Sequence, residues 1–281
     1  MKQKSDKSKC TGSAGFEEYY SSLYAERWQS IKEAFTGPAD SVEYHVSGAE
    51  KPYYLDSASI FAALCLPLEG AEQIVDLCAA PGGKTLVLAS RMPSDAVLFS
   101  NERSPQRKHR LSVVVQECLP PQINERVKVS CSDGATWCTR QSECFDRVLL
   151  DAPCSSERHV MADPKYLEQW SPSRIKTVTM EQWALLSSAW RLLKKGGYLL
   201  YSTCALCPQE NDGMMEKLVK KFNKDGNSLS FEQPEPQLEQ IKNFAKISLP
   251  TFEKTEYGYM IMPDMAEGAG PIYFSLIKKR T

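Results

Sequence analysis

The stretch Ile74–Thr85, IVDLCAAPGGKT, predicts how the rest of the chain is arranged. Its first residues form a short apolar run that is typical of a buried strand, and Asp76 lies near the end of that run. Pro81 and the two glycines after it break the strand, and Lys84 begins the first turn of a predicted helix. A strand, a glycine turn and a helix N-terminus form a backbone cradle for a nucleotide-like ligand.

Three simpler interpretations of this turn compete with such a cradle. A phosphate-binding P-loop requires a glycine five residues before the Gly-Lys-Thr, and Cys78 occupies that position. The G-x-G-x-x-G spacing of a dinucleotide-binding turn is also missing. The third interpretation is an ordinary strand-to-helix turn without a ligand, which the block Cys-Ala-Ala-Pro-Gly-Gly-Lys disfavours.

Size and composition allow one large domain, with or without a small extension. The chain has 281 residues, and the 42% that are hydrophobic are enough for a sizeable core. Its 34 basic and 35 acidic residues give a net charge of -1, so nucleic acid binding would need local basic patches. No apolar run could span a bilayer, and the charged N-terminus, MKQKSDKSKC, lacks a secretory core and is expected to be flexible.

The ten cysteines show no framework spacing, and without an export signal they are expected to be reduced thiols. Cys204 and Cys207 form one C-x-x-C pair. A structural zinc site needs a second pair at matching spacing, which the chain lacks, so no metal is expected.

The remaining chain predicts alternating helices and strands. Residues 16–35 have helical spacing and are expected to form one helix that packs on the domain, or alternatively part of an RNA or partner surface through Tyr24, Arg27 and Trp28. Lys194–Gly197 is expected to stop a long helix, and residues 224–256 are expected to be irregular. The other predicted elements are a helix capped near Asp56, helices at 105–118 and 172–193, a helix opening at 208–212, and strands at 96–100, 127–131, 147–152, 198–201, 257–263 and 272–278.

The glycine turn and two later motifs resemble the S-adenosylmethionine-dependent RNA cytosine-5 methyltransferases of the Nop/Sun family. The later motifs are Asp151-Ala152-Pro153-Cys154 and Thr203-Cys204. The resemblance covers about residues 51–279 and is closest to the mitochondrial ribosomal-RNA branch and its bacterial relatives. It implies an α/β fold, a Rossmann-like class I methyltransferase with a seven-stranded, mostly parallel sheet. Residues 1–50 would be a flexible N-terminus plus a helical extension, and residues 51–281 the catalytic domain.

The chemistry of this class explains why two cysteines matter. Cytosine C5 becomes nucleophilic only after a thiolate adds to C6, which is covalent catalysis. By resemblance, Cys204 is the nucleophile, Cys154 aids product release, Asp151 hydrogen-bonds the base, and Lys84 orients Asp151. In DNA cytosine-5 methyltransferases the Pro-Cys cysteine attacks instead, so a DNA enzyme would depend on Cys154. The presence of both cysteines in their motifs favours RNA.

The cofactor implied by the resemblance is S-adenosylmethionine. An acid at the end of the second strand can accept hydrogen bonds from both ribose hydroxyls, and Glu102 has that place, with a surface carboxylate as the alternative. By resemblance, Arg107 belongs to the cofactor site and Asp133 contacts the adenine amino group, although Asp-Gly is also a common turn pair. The expected cofactor-binding residues are Cys78, Ala79, Ala80, Pro81, Gly82, Gly83, Lys84, Glu102, Arg107, Asp133, Gly134 and Asp151.

The sequence departs from the family pattern at two places. Leu55 stands where the family has a glutamine before its cofactor motif, and Ser155-Ser156 replaces a Ser-Gly pair. No separate RNA-binding domain fits in this length, so RNA selection is expected from the N-terminal helix, basic loops or a protein partner. The expected function is ribosomal RNA cytosine-5 methylation by a monomer. It would lie in the cytoplasm of a bacterium or the mitochondrial matrix of a eukaryote. The alternatives are a low-turnover RNA-binding ribosome-assembly factor and transfer RNA as the substrate.

Overall fold

The computed structural model describes residues 11–38, 40–237 and 250–280. The helices of these residues are α1 Gly12–Tyr24, α2 Arg27–Thr36, α3 Ser57–Leu64, α4 Gly83–Ala89, α5 Pro105–Cys118, α6 Pro121–Asn124, α7 Glu157–Ala162, α8 Pro164–Glu168, α9 Pro172–Leu192 and α10 Asp212–Phe222. The strands are β1 Val42–Tyr44, β2 Tyr53–Leu55, β3 Gln73–Asp76, β4 Val97–Asn101, β5 Val127–Ser130, β6 Phe145–Asp151, β7 Leu193–Thr203, β8 Leu229–Glu232, β9 Glu253–Lys254, β10 Tyr259–Ile261 and β11 Ile272–Lys279. In the described ranges, none of the helices has both the length and the apolar character needed to cross a membrane. The N-terminal residues 1–10, expected to be flexible, lie outside these ranges.

The central sheet has the strand order β5-β4-β3-β6-β7-β11-β10, with β9 beyond β10 and β8 beside β11. The first five strands run parallel, and β11 runs antiparallel to its neighbours β7 and β10. Seven strands therefore form the expected mostly parallel sheet, and β8 and β9 extend it. The strand order reverses between β3 and β6, which is where open α/β sheets bind ligands.

Hydrophobic side chains cover both faces of the sheet. Along β3, Ile74 belongs to one buried cluster and Val75 to the other, as the two-residue period of a strand requires. The first cluster packs α3, α4 and α5 on one face, and the second packs α1, α2, α9 and α10 on the opposite face. Strands buried on both faces in this way are typical of parallel sheets.

The N-terminal helical segment is broken, which corrects the expectation of one helix over residues 16–35. Ala25 has a φ of 48° and ends α1 before α2 begins. An unbroken helix would separate Tyr20 from Trp28 by about 12 Å along its axis. The break instead stacks these two rings with centroids 5.4 Å apart, and Tyr20 also contacts Trp170.

The side chains proposed as an RNA or partner surface are engaged within the fold. Trp28 is buried, and Tyr24 Oη donates to a backbone carbonyl at 2.6 Å. Arg27 forms ion pairs with Asp264 at 2.7 Å and Glu253 at 2.6 Å. These contacts favour the interpretation of α1 and α2 as packing helices. The domain boundary at residue 50 stays a prediction.

Three expectations for the second half are wrong in detail. Lys194–Gly197 lies inside β7, where Lys194 Nζ contacts Asp146 Oδ1 on neighbouring β6 at 2.8 Å. Residues 224–256 contain β8 and β9, because β11 and β10 offer edges for pairing that local sequence does not reveal. The helix expected to open at Pro208 begins only at Asp212, after a turn. Residues 238–249 of the stretch expected to be irregular lie outside the described residues.

Candidate active site

The ends of four parallel strands meet at one edge of the sheet. The residues that end β3, β4, β6 and β7 are Asp76, Asn101, Asp151 and Thr203. Because these strands point the same way, their last residues share the carboxyl edge. Cys204 follows β7 directly, and Cys154 lies three residues beyond β6. The sheet thereby brings together two motifs that are far apart in the sequence.

The glycines of the first turn are required by packing within the chain. Gly82 has a φ of 124°, and a Cβ atom at this position would lie 2.9 Å from Val114 Cγ1 on α5. A Cβ atom on Gly83 would lie 3.0 Å from Leu55 Cδ1. The turn therefore tolerates no side chain at Gly82 even before a ligand is considered.

Two cavities open beside this turn, one of 630 Å³ and one of 130 Å³. The expected site residues that line the larger cavity are Cys78, Ala80, Pro81, Glu102, Arg107, Asp133, Gly134, Asp151, Cys154 and Cys204. Those that line the smaller cavity are Cys78, Ala79, Ala80, Pro81, Gly83, Lys84 and Asp151. Gly82 lines neither of these two cavities, and its role toward a cofactor stays a prediction.

The acidic residues expected to hold the cofactor border the larger cavity. Glu102 is buried; its Oε1 accepts a backbone N–H at 2.8 Å, and its Oε2 lies 3.2 Å from Arg107 Nη1. Arg107 Nη2 also donates to the carbonyl oxygen of Ala80 at 2.6 Å, which ties α5 to the first turn. Asp133 Oδ1 accepts a backbone N–H at 3.0 Å. Each carboxylate offers about four acceptor positions, so both keep capacity for a ligand.

Lys84 and Asp151 form a half-buried ion pair. Lys84 Nζ lies 2.8 Å from Asp151 Oδ2, and the Lys84 side chain is only 10% exposed. Burial alone would lower the pKa of Lys84, but the charge and hydrogen bond of Asp151 outweigh it and raise that pKa. Ser202 Oγ donates to Asp151 Oδ1 at 2.8 Å, so both carboxylate oxygens of Asp151 are held in place.

The two thiols lie side by side. The Sγ atoms of Cys154 and Cys204 are 2.8 Å apart, and Ser156 Oγ is 3.3 Å from the first and 3.2 Å from the second. The hydrogen bond between the thiols, with burial, raises the pKa of Cys154. The same hydrogen bond lowers the pKa of Cys204 against the opposing effect of burial, and Ser156 lowers it further. Of the two thiols, Cys204 is therefore the more easily ionised.

Two buried carboxylates hold the loops that carry the thiols. Glu157 accepts hydrogen bonds from Ser155 Oγ and Tyr20 Oη, and from the backbone N–H of Leu206 at 2.9 Å. Glu210 accepts the backbone N–H of Ser155 at 3.0 Å. Burial, together with the charge of Glu157, raises the pKa of Glu210 to about 7. The residues beside Cys154 and Cys204 are thus tied to one buried acidic cluster.

Three polar residues of the site were not predicted from the sequence. Asp76 Oδ2 accepts a hydrogen bond from Thr85 Oγ1 at 2.7 Å, and its Oδ1 is buried without a partner among the described residues. Asp76 could have been predicted as a site residue, because it ends the first strand of the parallel sheet. Ser202 could have been inferred from its strand register opposite Asp151. Ser156 has a φ of 53°, and its approach to both thiols depends on a loop conformation that no local pattern reveals.

The C-x-x-C pair does not converge on a metal. Cys204 contacts Cys154, whereas buried Cys207 donates its Sγ–H to Gln209 Oε1 at 2.8 Å. Across residues 11–38, 40–237 and 250–280, no three His, Cys, Asp or Glu side chains are grouped so that they could hold a metal ion. The pair contributes a single thiol to the site.

The fold and the site together define a class I methyltransferase with a two-cysteine centre. The model of a family described as 16S rRNA methyltransferase RsmB/F matches residues 63–262. The chain belongs to this family. The predicted Nop/Sun family and the Rossmann-like fold class are thereby confirmed.

Individual relatives agree with this assignment. The chain is 31% identical over 233 residues to the 5-cytosine rRNA methyltransferase NSUN4 of Mus musculus, covering 79% of this chain and 58% of the relative. It is 29% identical over 238 residues to a mitochondrial tRNA (cytosine(34)-C(5))-methyltransferase of Danio rerio, covering 84% and 63%. A solved methyltransferase homologue from Pyrococcus horikoshii shares the fold, with a TM-score of 0.68, 22% identity and 94% of each chain covered. The chain thus spans about three fifths of the length of these two sequence relatives.

Proposed function

We propose that this chain is an S-adenosylmethionine-dependent RNA cytosine-5 methyltransferase that acts on ribosomal RNA. The observation that carries the proposal is the 2.8 Å contact between the sulfurs of Cys154 and Cys204, beside the pair of Lys84 and Asp151. A single cysteine at a strand end is commonly a packing residue. Two thiols that share a cavity with Asp151, the ion-pair partner of Lys84, meet the needs of covalent addition to a pyrimidine. The names of the family and of the mouse relative support ribosomal RNA.

The residues around the two cavities fit the proposed cofactor. Asp76 Oδ1, a buried acceptor without a partner among the described residues, suits the ammonium group of its amino acid portion. Glu102 offers acceptors to the ribose hydroxyls, and Asp133 offers one to the adenine amino group. Bound S-adenosylmethionine would supply an electrophilic methyl group on a sulfonium centre.

The protein side of the mechanism begins with the thiolate on Cys204. Its sulfur adds to C6 of the cytosine and moves electron density to C5, which then takes the methyl group. Asp151, given a proton by the Lys84 ammonium that lies 2.8 Å away, would donate a hydrogen bond to N3 of the ring, where negative charge develops. After methylation a base takes the C5 proton, and the electron pair of that C–H bond re-forms the C5–C6 double bond as the sulfur of Cys204 leaves C6. We assign Cys154 to this release.

Two cysteine variants test the mechanism. Cys204→Ala should abolish methyl transfer because the adduct cannot form. Cys154→Ala should form the adduct but release it slowly, leaving a protein–RNA complex that survives denaturing electrophoresis. Cys131→Ala is the matched control, because its exposed thiol lines neither cavity, and it should keep full activity. Full activity in Cys204→Ala would contradict the mechanism. If the natural protein methylates a DNA oligonucleotide and Cys154→Ala loses that activity, the protein is a DNA enzyme.

Transfer RNA is the second candidate substrate, favoured by the name of the zebrafish relative, which covers 84% of this chain. Bisulfite sequencing of total RNA from cells with and without the gene decides between the two. A ribosomal RNA cytosine that resists bisulfite conversion only in cells with the gene supports the first candidate. A transfer RNA cytosine with the same behaviour supports the second. Normal ribosome maturation in cells that carry Cys204→Ala would instead indicate an RNA-binding assembly factor with little turnover.

The proposal extends to the organisation of the chain. Residues 1–50 would be an extension on a catalytic domain of residues 51–281. The enzyme would act as a monomer in isolation, with a protein partner aiding RNA targeting. Its compartment would be the cytoplasm in a bacterium or the mitochondrial matrix in a eukaryote. Light scattering of the purified protein, and fractionation of cells that express it, test these statements.

A further inference from the structure

A third cavity, of 500 Å³, opens beside Cys204 and takes part in none of the steps above. It lies between α2, the start of α3, α7 and residues 270–272, where β11 begins. It shares Cys204 and Ser156 with the 630 Å³ cavity, and Ser59 with the 130 Å³ cavity. A ligand in this third cavity would therefore reach the nucleophile from a side that the cofactor residues do not occupy.

Arg158 brings a positive charge to this cavity, on which Asp56 and Asp40 act from beyond ion-pair distance. Among the described residues, no carboxylate lies within ion-pair distance of its guanidinium. Its Nη2 donates to the carbonyl oxygen of Gly268 at 2.5 Å, and the group lies over the ring of Phe35 at 5.2 Å. Its Nε is buried and has no hydrogen-bond partner among the described residues. The hydrogen bonds of the guanidinium to described residues all come from Nη2, so the group is held in position while Nη1 keeps its donors for an anionic ligand.

The carboxylate that lines the same cavity is committed to the backbone. Asp56 Oδ1 accepts the N–H of Ala58 at 2.8 Å, and Asp56 Oδ2 accepts the N–H of Gly270 at 3.0 Å. Asp56 therefore caps α3 and holds the turn before β11. The other basic side chain on the cavity is His159, which is exposed. Asp56 accepts three backbone N–H groups in all, so little of its acceptor capacity remains, and the Arg158 guanidinium is the main free donor on the cavity.

We propose that the 500 Å³ cavity binds the sugar-phosphate of the target nucleotide, with Arg158 as the ligand of a phosphate that flanks the cytidine. This inference rests on the proposed function, because it is Cys204 that receives the base. A guanidinium matches the oxygens of a phosphate with two parallel hydrogen bonds. The volume is in the range of sites that enclose a small ligand. A target nucleotide placed here would present its base to Cys204 and its backbone to α7.

Protection of Cys204 from alkylation tests the proposal without turnover. In Cys154→Ala, iodoacetamide labelling of Cys204 is followed by mass spectrometry with cytidine or cytidine 3′,5′-bisphosphate present. We expect the bisphosphate to protect at a concentration roughly tenfold to hundredfold lower, the range of one charge-assisted hydrogen-bond pair. Arg158→Met should remove this difference, Arg158→Lys should keep part of it, and the exposed-surface control Arg140→Met should keep all of it.

Equal protection by cytidine and its bisphosphate would overturn the proposal, as would equal behaviour of Arg158→Met and Arg140→Met. If Arg158→Met unfolds, the salt dependence in Cys154→Ala decides, because protection by the bisphosphate must weaken with sodium chloride while protection by cytidine does not. With an RNA substrate, Arg158→Met should raise KM roughly tenfold to hundredfold, leave kcat little changed and reduce the salt slope of RNA binding by about 1. If the natural protein transfers no methyl group to RNA, the proposed function is refuted. The alkylation experiment needs no methyl transfer, so it would still show whether Arg158 binds a phosphate.

Discussion

Replacing Glu210 with glutamine should remove a pH dependence of stability that is built into the acidic cluster behind Cys154. Glu210 is fully buried, and burial raises its pKa from 4.5 to about 7 in the folded protein. Its Oε2 accepts the N–H of Ser155 and Gln182 Nε2, while its Oε1 has no partner among the described residues. A proton on this carboxyl removes the cost of a buried charge, and the glutamine amide imitates that neutral form.

The size of the effect follows from proton linkage. Because the folded carboxyl holds its proton more tightly than the unfolded one, the resulting stability is fully present below pH 4.5 and is lost as the pH rises through 7. Between pH 5 and pH 8 a single group with these two pKa values contributes a change of about 2.5 kcal/mol in the free energy of unfolding. Glu210→Gln has no such group, so its stability relative to the natural protein should increase by about this amount over the same range.

Urea denaturation at pH 5 and at pH 8, followed by tryptophan fluorescence, measures this change. The matched control is Glu216→Gln on α10, whose exposed side chain pairs with Lys220 and should contribute less than about 1 kcal/mol at either pH. The reasoning would be refuted if the difference between Glu210→Gln and the natural protein were the same at both pH values, since a carboxyl that titrates normally gives no such change.

Three further substitutions test the supports of the site. Glu157→Ala should lower the free energy of unfolding by about 3 to 5 kcal/mol, because three buried donors, including Tyr20 Oη, lose their acceptor. Urea denaturation measures this loss, and a loss below about 1 kcal/mol would contradict the role of Glu157. Gly134→Ala should cost about 1 to 3 kcal/mol, because its Cβ would lie 2.9 Å from Leu77 Cγ; an unchanged midpoint in the same assay would argue against this packing. Ser156→Gly should gain up to about 1 kcal/mol from relief of the positive φ, yet slow Cys204 alkylation at neutral pH. Faster alkylation would disprove the role of the hydroxyl.

The sequence predicted those elements that local patterns specify. Helix α5 was expected at residues 105–118 and lies there, because a Ser104 cap and a proline in its first turn mark its start. The cap of α3 was also anticipated, and Asp56 accepts hydrogen bonds from two of its backbone N–H groups. The break at Ala25 was missed because it depends on stacking between Tyr20 and Trp28, which no periodicity records. Edge strands β8 and β9 were missed for a similar reason, since their pairing partners are distant in the sequence.

The residues of the site also divide into those that motifs predicted and those that depend on the fold. Cys154, Cys204, Asp151 and Lys84 stand in motifs, and the structure brings all four to one edge of the sheet. Ser156 was noted only as a departure from a glycine, and its contact with both thiols arises from the loop conformation. The third cavity was not foreseen because its walls come from five separated segments. Motifs therefore predicted which side chains meet at the sheet edge, and their catalytic roles stay predictions, while the residues around them became visible only in the fold.

Those surroundings explain why two similar thiols take different roles. The Lys84 ammonium interacts with the charge on Cys204, whereas the carboxylate of Glu210 acts against a charge on Cys154. The larger effect is the hydrogen bond between the thiols, which lowers the pKa of Cys204 and raises that of Cys154. Ser156 lowers the pKa of Cys204 further, while the charges of Asp151 and Glu157 oppose this shift. Cys204 is thus the more easily ionised thiol, in agreement with the separate attack and release roles proposed for the two cysteines.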